Sequence, residues 1–149
     1  MSVTVNGSET TVQMDVGGYI LAASVVSGGS PPAVFISGRG DGREVWAPVL
    51  SRLRSDAATL TYDRAGIGDS GKAPTPNPRC YSDLAGELVR LLHGVPLDRP
   101  FVVVAHSMGV LVARSLVASH PQMVAGLVLL DGSVDELDQF VRRVVADLT

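Results

Sequence analysis

Cysteine is almost missing from this chain. One thiol, Cys80, occurs in 149 residues, so no internal disulfide framework can form, and in its proline-rich surroundings it reads as a passive thiol rather than a nucleophile. Histidine is scarce too, with only His93, His106 and His120, and neither a metal site nor any other cofactor site is indicated. Basic charge is in deficit: 12 Lys and Arg stand against 15 Asp and Glu, a net charge of -3. No basic surplus is left to neutralise phosphates, so neither nucleic acid nor an anionic membrane is an expected partner. No Lys or Arg precedes Arg39, which removes the charged region a secretory or twin-arginine signal needs and makes the cytoplasm the expected compartment. Apolar runs are strand-sized and fall short of the ~20 residues of a membrane helix. What remains is an ordinary globular composition, 46% apolar and 18% charged, enough for one domain with a buried core.

The apolar pattern alternates between two periods. Thr11 to Val16 and Tyr19 to Val26 read as two strands joined by a tight turn at Gly17-Gly18. Gly28 to Pro32 punctuates, and Ala33-Val34-Phe35-Ile36 is wholly apolar, as in a central strand covered on both faces. A helix carrying Val45, Val49, Leu50 and Leu53 on one side is expected to start near Pro48 or a turn earlier. Ala57 to Tyr62 is the next strand, and Ser82 or Asp83 is placed to cap a helix with Leu84, Leu88, Leu91 and Leu92 on one face, ending at His93-Gly94. Phe101 to Val104, the helix-like Val110 to Leu116 stopped by His120-Pro121, and Val124 to Leu130 complete the alternation. Such order predicts an α/β fold, a mostly parallel sheet flanked by helices, with ligands at the carboxyl ends of the strands. Ser133 and Glu136 form a capping box for an amphipathic helix through Leu148.

The most informative segment is Ala105-His106-Ser107-Met108-Gly109, where a buried strand gives way to a helix. This is the setting of a nucleophile elbow: a turn so tight that the central residue is strained and only small residues fit two places either side. Strain lifts the serine hydroxyl clear of the sheet, and the helix aims its first amides at charge developing beside it. Ser107 is the candidate nucleophile. The competing reading is that Ser107 merely caps the helix, its hydroxyl accepting from first-turn amides.

These residues resemble the α/β-hydrolase family from about Val12 to Asp131. Phe35-Ile36-Ser37-Gly38-Arg39-Gly40-Asp41 is similar to that family's oxyanion loop, Tyr62 to Ser70 to its turn after the following strand, and Ala105 to Gly109 to its elbow. Ser37 stands where histidine is frequent, and Ala105 where glycine is. The resemblance implies that Ser107 attacks a carbonyl and that the oxyanion is held by the backbone N–H groups of Arg39 and Met108. The implied substrate is a small acyl compound: an ester, lactone, thioester or amide. A serine in place of an aspartate speaks against dehalogenase or epoxide-hydrolase chemistry.

The general base is not found. The family order places an acid and then a histidine after the serine, and only His120 lies downstream, at a helix end. His106 neighbours Ser107, but adjacent side chains on an extended segment point to opposite faces. Asp131 stands where some members carry their acid, and it equally suits a turn before Gly132. The chain is read as a single, incomplete domain, 1–149, stopping one helix beyond the strand that ends near Leu130. Residues Ala125 to Leu130 then form an edge strand apolar on both faces, suited to self-association, while the helix within 133–149 either covers that edge or begins a lid. Two functions stay open: a serine hydrolase impaired by the lack of a histidine, or a non-catalytic relative that binds a small molecule or pairs through its edge.

Other motifs lack their context. Gly66 to Gly71 matches a phosphate-binding glycine pattern, but Pro74, Pro76 and Pro78 forbid the helix such a loop must open. Arg39-Gly40-Asp41 is read as turn chemistry. Trp46 and Tyr81 are left unassigned between core and substrate contact.

Overall fold

Residues 2–6, 9–53, 56–74 and 79–132 are described by a computed structural model. Period-two alternation at the start of the chain becomes an antiparallel meander of β1 (Ser2–Asn6), β2 (Glu9–Asp15) and β3 (Ile20–Val26). The β2–β3 turn is set by Asp15, whose carboxylate accepts the N–H groups of Gly17 and Gly18 at 2.8 Å each. Both glycines have left-handed backbones, φ 115° and 93°, which a side chain would resist.

From β4 (Gly29–Ile36) onward, strands and helices alternate: α1 (Ala47–Leu50), β5 (Ala57–Tyr62), α2 (Tyr81–Gly94), β6 (Phe101–His106), α3 (Gly109–Ser119) and β7 (Val124–Leu130). The seven strands lie in the order β1-β2-β3-β5-β4-β6-β7. The three pairings from β1 to β5 are antiparallel, and the three from β5 to β7 parallel. Ala33–Ile36 pairs with β5 on one side and β6 on the other, which makes it the central strand its composition implies. Val34, Ile36, Leu60, Phe101 and Val103 join Leu88, Leu91, Val112 and Leu116 of α2 and α3 in one buried cluster. Each such side chain contributes about 1.5–3 kcal/mol through its burial. The three crossovers, β4 to β5, β5 to β6 and β6 to β7, therefore each leave from the carboxyl end of a strand.

Several local expectations are corrected. β1 was not anticipated, and β4 begins four residues before Ala33. Its register shifts between Gly29 and Ala33, across Pro31 and Pro32, which have no N–H for a ladder. The helix after β4 is a 3-10 turn, Arg43–Trp46, followed by the single turn of α1. Val45, Val49 and Leu53 are exposed at 41%, 41% and 39%, so the anticipated apolar face is not the one that packs. Trp46 packs instead, buried and 5.1 Å between centroids from Phe35. The N-cap of α2 is Cys80 rather than Ser82 or Asp83. Asp83 sits in the first turn and accepts the Cys80 N–H at 2.8 Å. The expected helix within 133–149 lies outside the described residues. Among the described residues no helix is long and apolar enough to cross a membrane.

Candidate active site

Ser107 occupies the junction of β6 and α3 with φ +51°, a left-handed conformation costing a non-glycine residue about 1–2 kcal/mol. Three contacts hold it there. The Ser107 N–H donates to the Leu130 carbonyl at 3.0 Å, its own carbonyl accepts the Val110 N–H at 3.0 Å, and Gly109 lets the helix press onto β4. A Cβ on Gly109 would stand 2.5 Å from the Ile36 carbonyl oxygen and 2.9 Å from that of Ser37, so no larger residue fits. Ala105 is fully buried. The capping alternative fails at this point: the helix starts at Gly109 with no side-chain cap, and no hydrogen bond of the Ser107 hydroxyl occurs among the described residues. Ser107 is only half-buried, leaving its oxygen accessible.

The loop after β4 lies directly against this serine. A Cβ on Gly38 would come within 3.4 Å of the Ser107 Cβ and 3.1 Å of the His106 Nδ1. The loop is anchored on both sides. The buried Ser37 hydroxyl accepts the Trp46 Nε1–H at 2.9 Å and donates to the Gly42 carbonyl at 3.1 Å. Arg64, 5% exposed, donates from Nη1 to the Ser37 carbonyl at 2.6 Å and from Nη2 to the Gly38 carbonyl. Met108 and Gly40 border an open cleft of about 390 Å³ that Arg64, Ile67, Arg79 and Leu84 also line. Ser107, Met108 and the loop carrying Arg39 are thus brought together. First-turn helix amides have no intrahelical acceptor, so Met108 and Gly109 present donors here.

Asp131 directly follows Leu130, whose carbonyl receives the Ser107 N–H. It is exposed and left-handed, φ +44°, the conformation that makes Asp a favoured turn residue. His120 is at the far end of α3. Eleven residues of helix place it about 16 Å along the axis from the elbow. His106 lies beside Gly38 without a hydrogen bond to Ser107, and His93 is exposed at the end of α2. No described histidine is positioned as a base for Ser107.

The Tyr62 to Ser70 turn contains a network of polar contacts whose partners the sequence does not specify. Asp63, 1% exposed, accepts the Arg43 N–H at 2.7 Å and the Asp69 N–H at 3.1 Å, and it pairs with the Arg43 guanidinium, which reaches Asp69 at 2.7 Å. Gly68 must be glycine, since φ is +50° and a Cβ would meet the Asp63 carboxylate at 2.4 Å. The only signal was the run of acidic, basic and glycine residues, which does not specify who pairs with whom. Tyr62, at the end of β5, is buried with a hydroxyl that has no hydrogen-bond partner among the described residues, and burial pushes its phenol well above the usual range.

Comparison with known proteins agrees with this architecture. Residues 31–148 match the alpha/beta hydrolase fold. The chain is 31% identical over 107 residues to the uncharacterized protein YqjL of Bacillus subtilis, covering 72% of this chain and 42% of that protein. It is 34% identical over 117 residues to the putative carbamate hydrolase RutD of Cronobacter sakazakii, covering 77% and 42%. An alpha/beta hydrolase structure from Novosphingobium aromaticivorans superposes with TM-score 0.73 at 24% identity, over 84% of this chain and 45% of that one. The chain therefore spans less than half the length of these relatives. With its crossovers converging on a strained strand-to-helix serine, and its sequence matched over residues 31–148, this chain belongs to the alpha/beta hydrolase fold family.

Proposed function

We propose that this chain carries the nucleophile and oxyanion-binding half of a serine hydrolase acting on an ester, lactone, thioester, amide or carbamate carbonyl. The carrying observation is Ser107 itself: φ +51°, at the mouth of the parallel strands, with its hydroxyl committed to no described group. In this reading Oγ bonds to the carbonyl carbon, the carbonyl π pair moves onto oxygen, and the N–H groups of Met108 and Arg39 hold that oxyanion. Collapse breaks the bond to the leaving group and leaves acyl-Ser107; the proton lost from Oγ passes through solvent water to the departing alcohol, thiol or amine, and a second water then hydrolyses the acyl-enzyme and returns the proton to Oγ. A serine hydroxyl requires a base to take its proton. No described histidine does so, and Asp131 without one has nothing to orient. The chain by itself is accordingly expected to turn over slowly, on the order of 10³-fold above water from oxyanion stabilisation and binding. Names of relatives such as putative carbamate hydrolase widen the acyl class to carbamates. A fluorophosphonate probe tests the reading: labelling abolished by Ser107→Ala supports it, and labelling that persists in that variant, or is absent from the parent, overturns it.

A second reading rests on β7. Among the described residues this strand is the edge of the sheet and exposes Leu127, Val128, Leu129 and Leu130 at 40–47%, and consecutive residues of a strand face opposite sides. A strand apolar on both faces is suited to an interior position. The occupant this reading commits to is a second copy of the chain, β7 against β7. Light scattering that finds a monomer up to ~100 μM, about the concentration at which a 10⁻⁴ M complex half-forms, sinks it.

A further inference from the structure

We propose that Arg64 is a positioning residue for the oxyanion hole, aligning and polarising the two peptide units that face Ser107. Arg64 is 5% exposed and both of its bonds to the loop go to main-chain carbonyls, Nη1 to Ser37 and Nη2 to Gly38. No carboxylate pairs with it among the described residues. A buried cation spent on neutral carbonyls is costly to keep, since burial removes its hydration. Two paired arginines nearby underline the contrast: Arg43 meets Asp63 and Asp69, and Arg79 meets Glu87.

The geometry assigns the arginine its task. In a trans peptide the N–H points opposite to the C=O of the same unit. Fixing the Gly38 carbonyl toward Arg64 therefore aims the Arg39 N–H away from Arg64, and fixing the Ser37 carbonyl does the same for the Gly38 N–H. The α-carbon shared by these two units is the one against which Ser107 packs, with a Gly38 Cβ position 3.4 Å from the Ser107 Cβ. Charge-assisted bonds to the carbonyls also draw electron density along each peptide, which makes its N–H a stronger donor, and chains of hydrogen bonds reinforce one another in this way. The fork geometry matters: two nitrogens hold two successive carbonyls at once, which a lysine ammonium cannot match.

This inference rests on the serine-hydrolase reading for its kinetic consequence but not for its structural one, so two readouts separate them. In the purified full chain, Arg64→Met is expected to slow Ser107 labelling by fluorophosphonate, and kcat on p-nitrophenyl acetate, by about 10²-fold, while KM changes less than threefold. Arg64→Lys is expected to recover part of the loss. Rates are counted per folded molecule, from the urea unfolding curve of each variant. If Arg64→Met does not fold, Arg64→Lys decides: a kcat equal to the parent overturns the proposal. Independently, the amide protons of Gly38 and Arg39 are expected to move upfield in Arg64→Lys as their polarisation falls, and unmoved resonances overturn it. Should the parent show no Ser107-dependent labelling, the hydrolase reading fails while the amide resonances still judge the role of Arg64.

Discussion

Replacing Gly109 by alanine sets two effects of opposite sign against each other. Gly109 opens α3 and has no left-handed backbone angle, so on conformational grounds alanine should stabilise the helix by up to about 1 kcal/mol. The added Cβ, however, would lie 2.5 Å from the Ile36 carbonyl oxygen and 2.9 Å from that of Ser37. Ordinary contact begins near 3.4 Å, so the larger shortfall is 0.9 Å (3.4 less 2.5), and both obstacles are main chain rather than a side chain that can swing away. Either α3 or the end of β4 must retreat, at an overpacking cost of about 1–3 kcal/mol. Packing outweighs propensity, and Gly109→Ala is expected to lose about 1–2 kcal/mol in urea unfolding. Because the displaced carbonyls begin the loop that faces Ser107, a shift of nearly 1 Å should also slow fluorophosphonate labelling by about 10²-fold. A variant that is more stable than the parent and labels at the same rate would refute the claim that close approach of α3 to β4 sets the elbow.

Other perturbations follow from single features. Ser107→Gly removes the strain of a left-handed serine and should raise stability by up to about 1 kcal/mol in urea unfolding while abolishing labelling. Tyr62→Phe deletes a buried hydroxyl that has no hydrogen-bond partner among the described residues, so thermal unfolding should show unchanged or higher stability, by about 0–1 kcal/mol, instead of the usual loss. Asp15 and Asp83 carry carboxyls held below their ordinary value of 3.8, the first by the N–H groups of Gly18 and Gly17, the second by the Cys80 side chain and N–H. Their folded values lie below the unfolded ones, so their contribution is present above pH 3.8 and disappears as pH falls through the folded values. The stability gap between the parent and Asp15→Asn, measured by urea unfolding, should therefore narrow steadily as pH drops below 3.8.

Much of this molecule is local in origin and could be read from residue order. Runs such as Ala33–Ile36 and Phe101–Val104 are strand-sized and apolar throughout, which suits buried strands, and their alternation with helical periods implies parallel crossovers. The elbow is legible for the same reason, since a small-x-Ser-x-Gly turn between strand and helix is a local backbone requirement. What tertiary structure alone decided are the contacts between segments distant in sequence. That Arg64 reaches the carbonyls of Ser37 and Gly38, that Asp63 pairs with Arg43, and that Leu130 receives the Ser107 N–H follow from how three crossovers converge at one end of the sheet. The sequence pattern put Val45, Val49, Leu50 and Leu53 on the packed face and left Trp46 unassigned, whereas Trp46 is the side chain that packs. Helical periodicity assumed a regular helix there, whereas the 3-10 geometry of Arg43–Trp46 rotates side chains by a different angle per residue and turns Trp46 inward. Periodicity and turn chemistry act within a few residues and so are written in the chain, whereas partner choice depends on the relative placement of whole elements and appears only once they are packed.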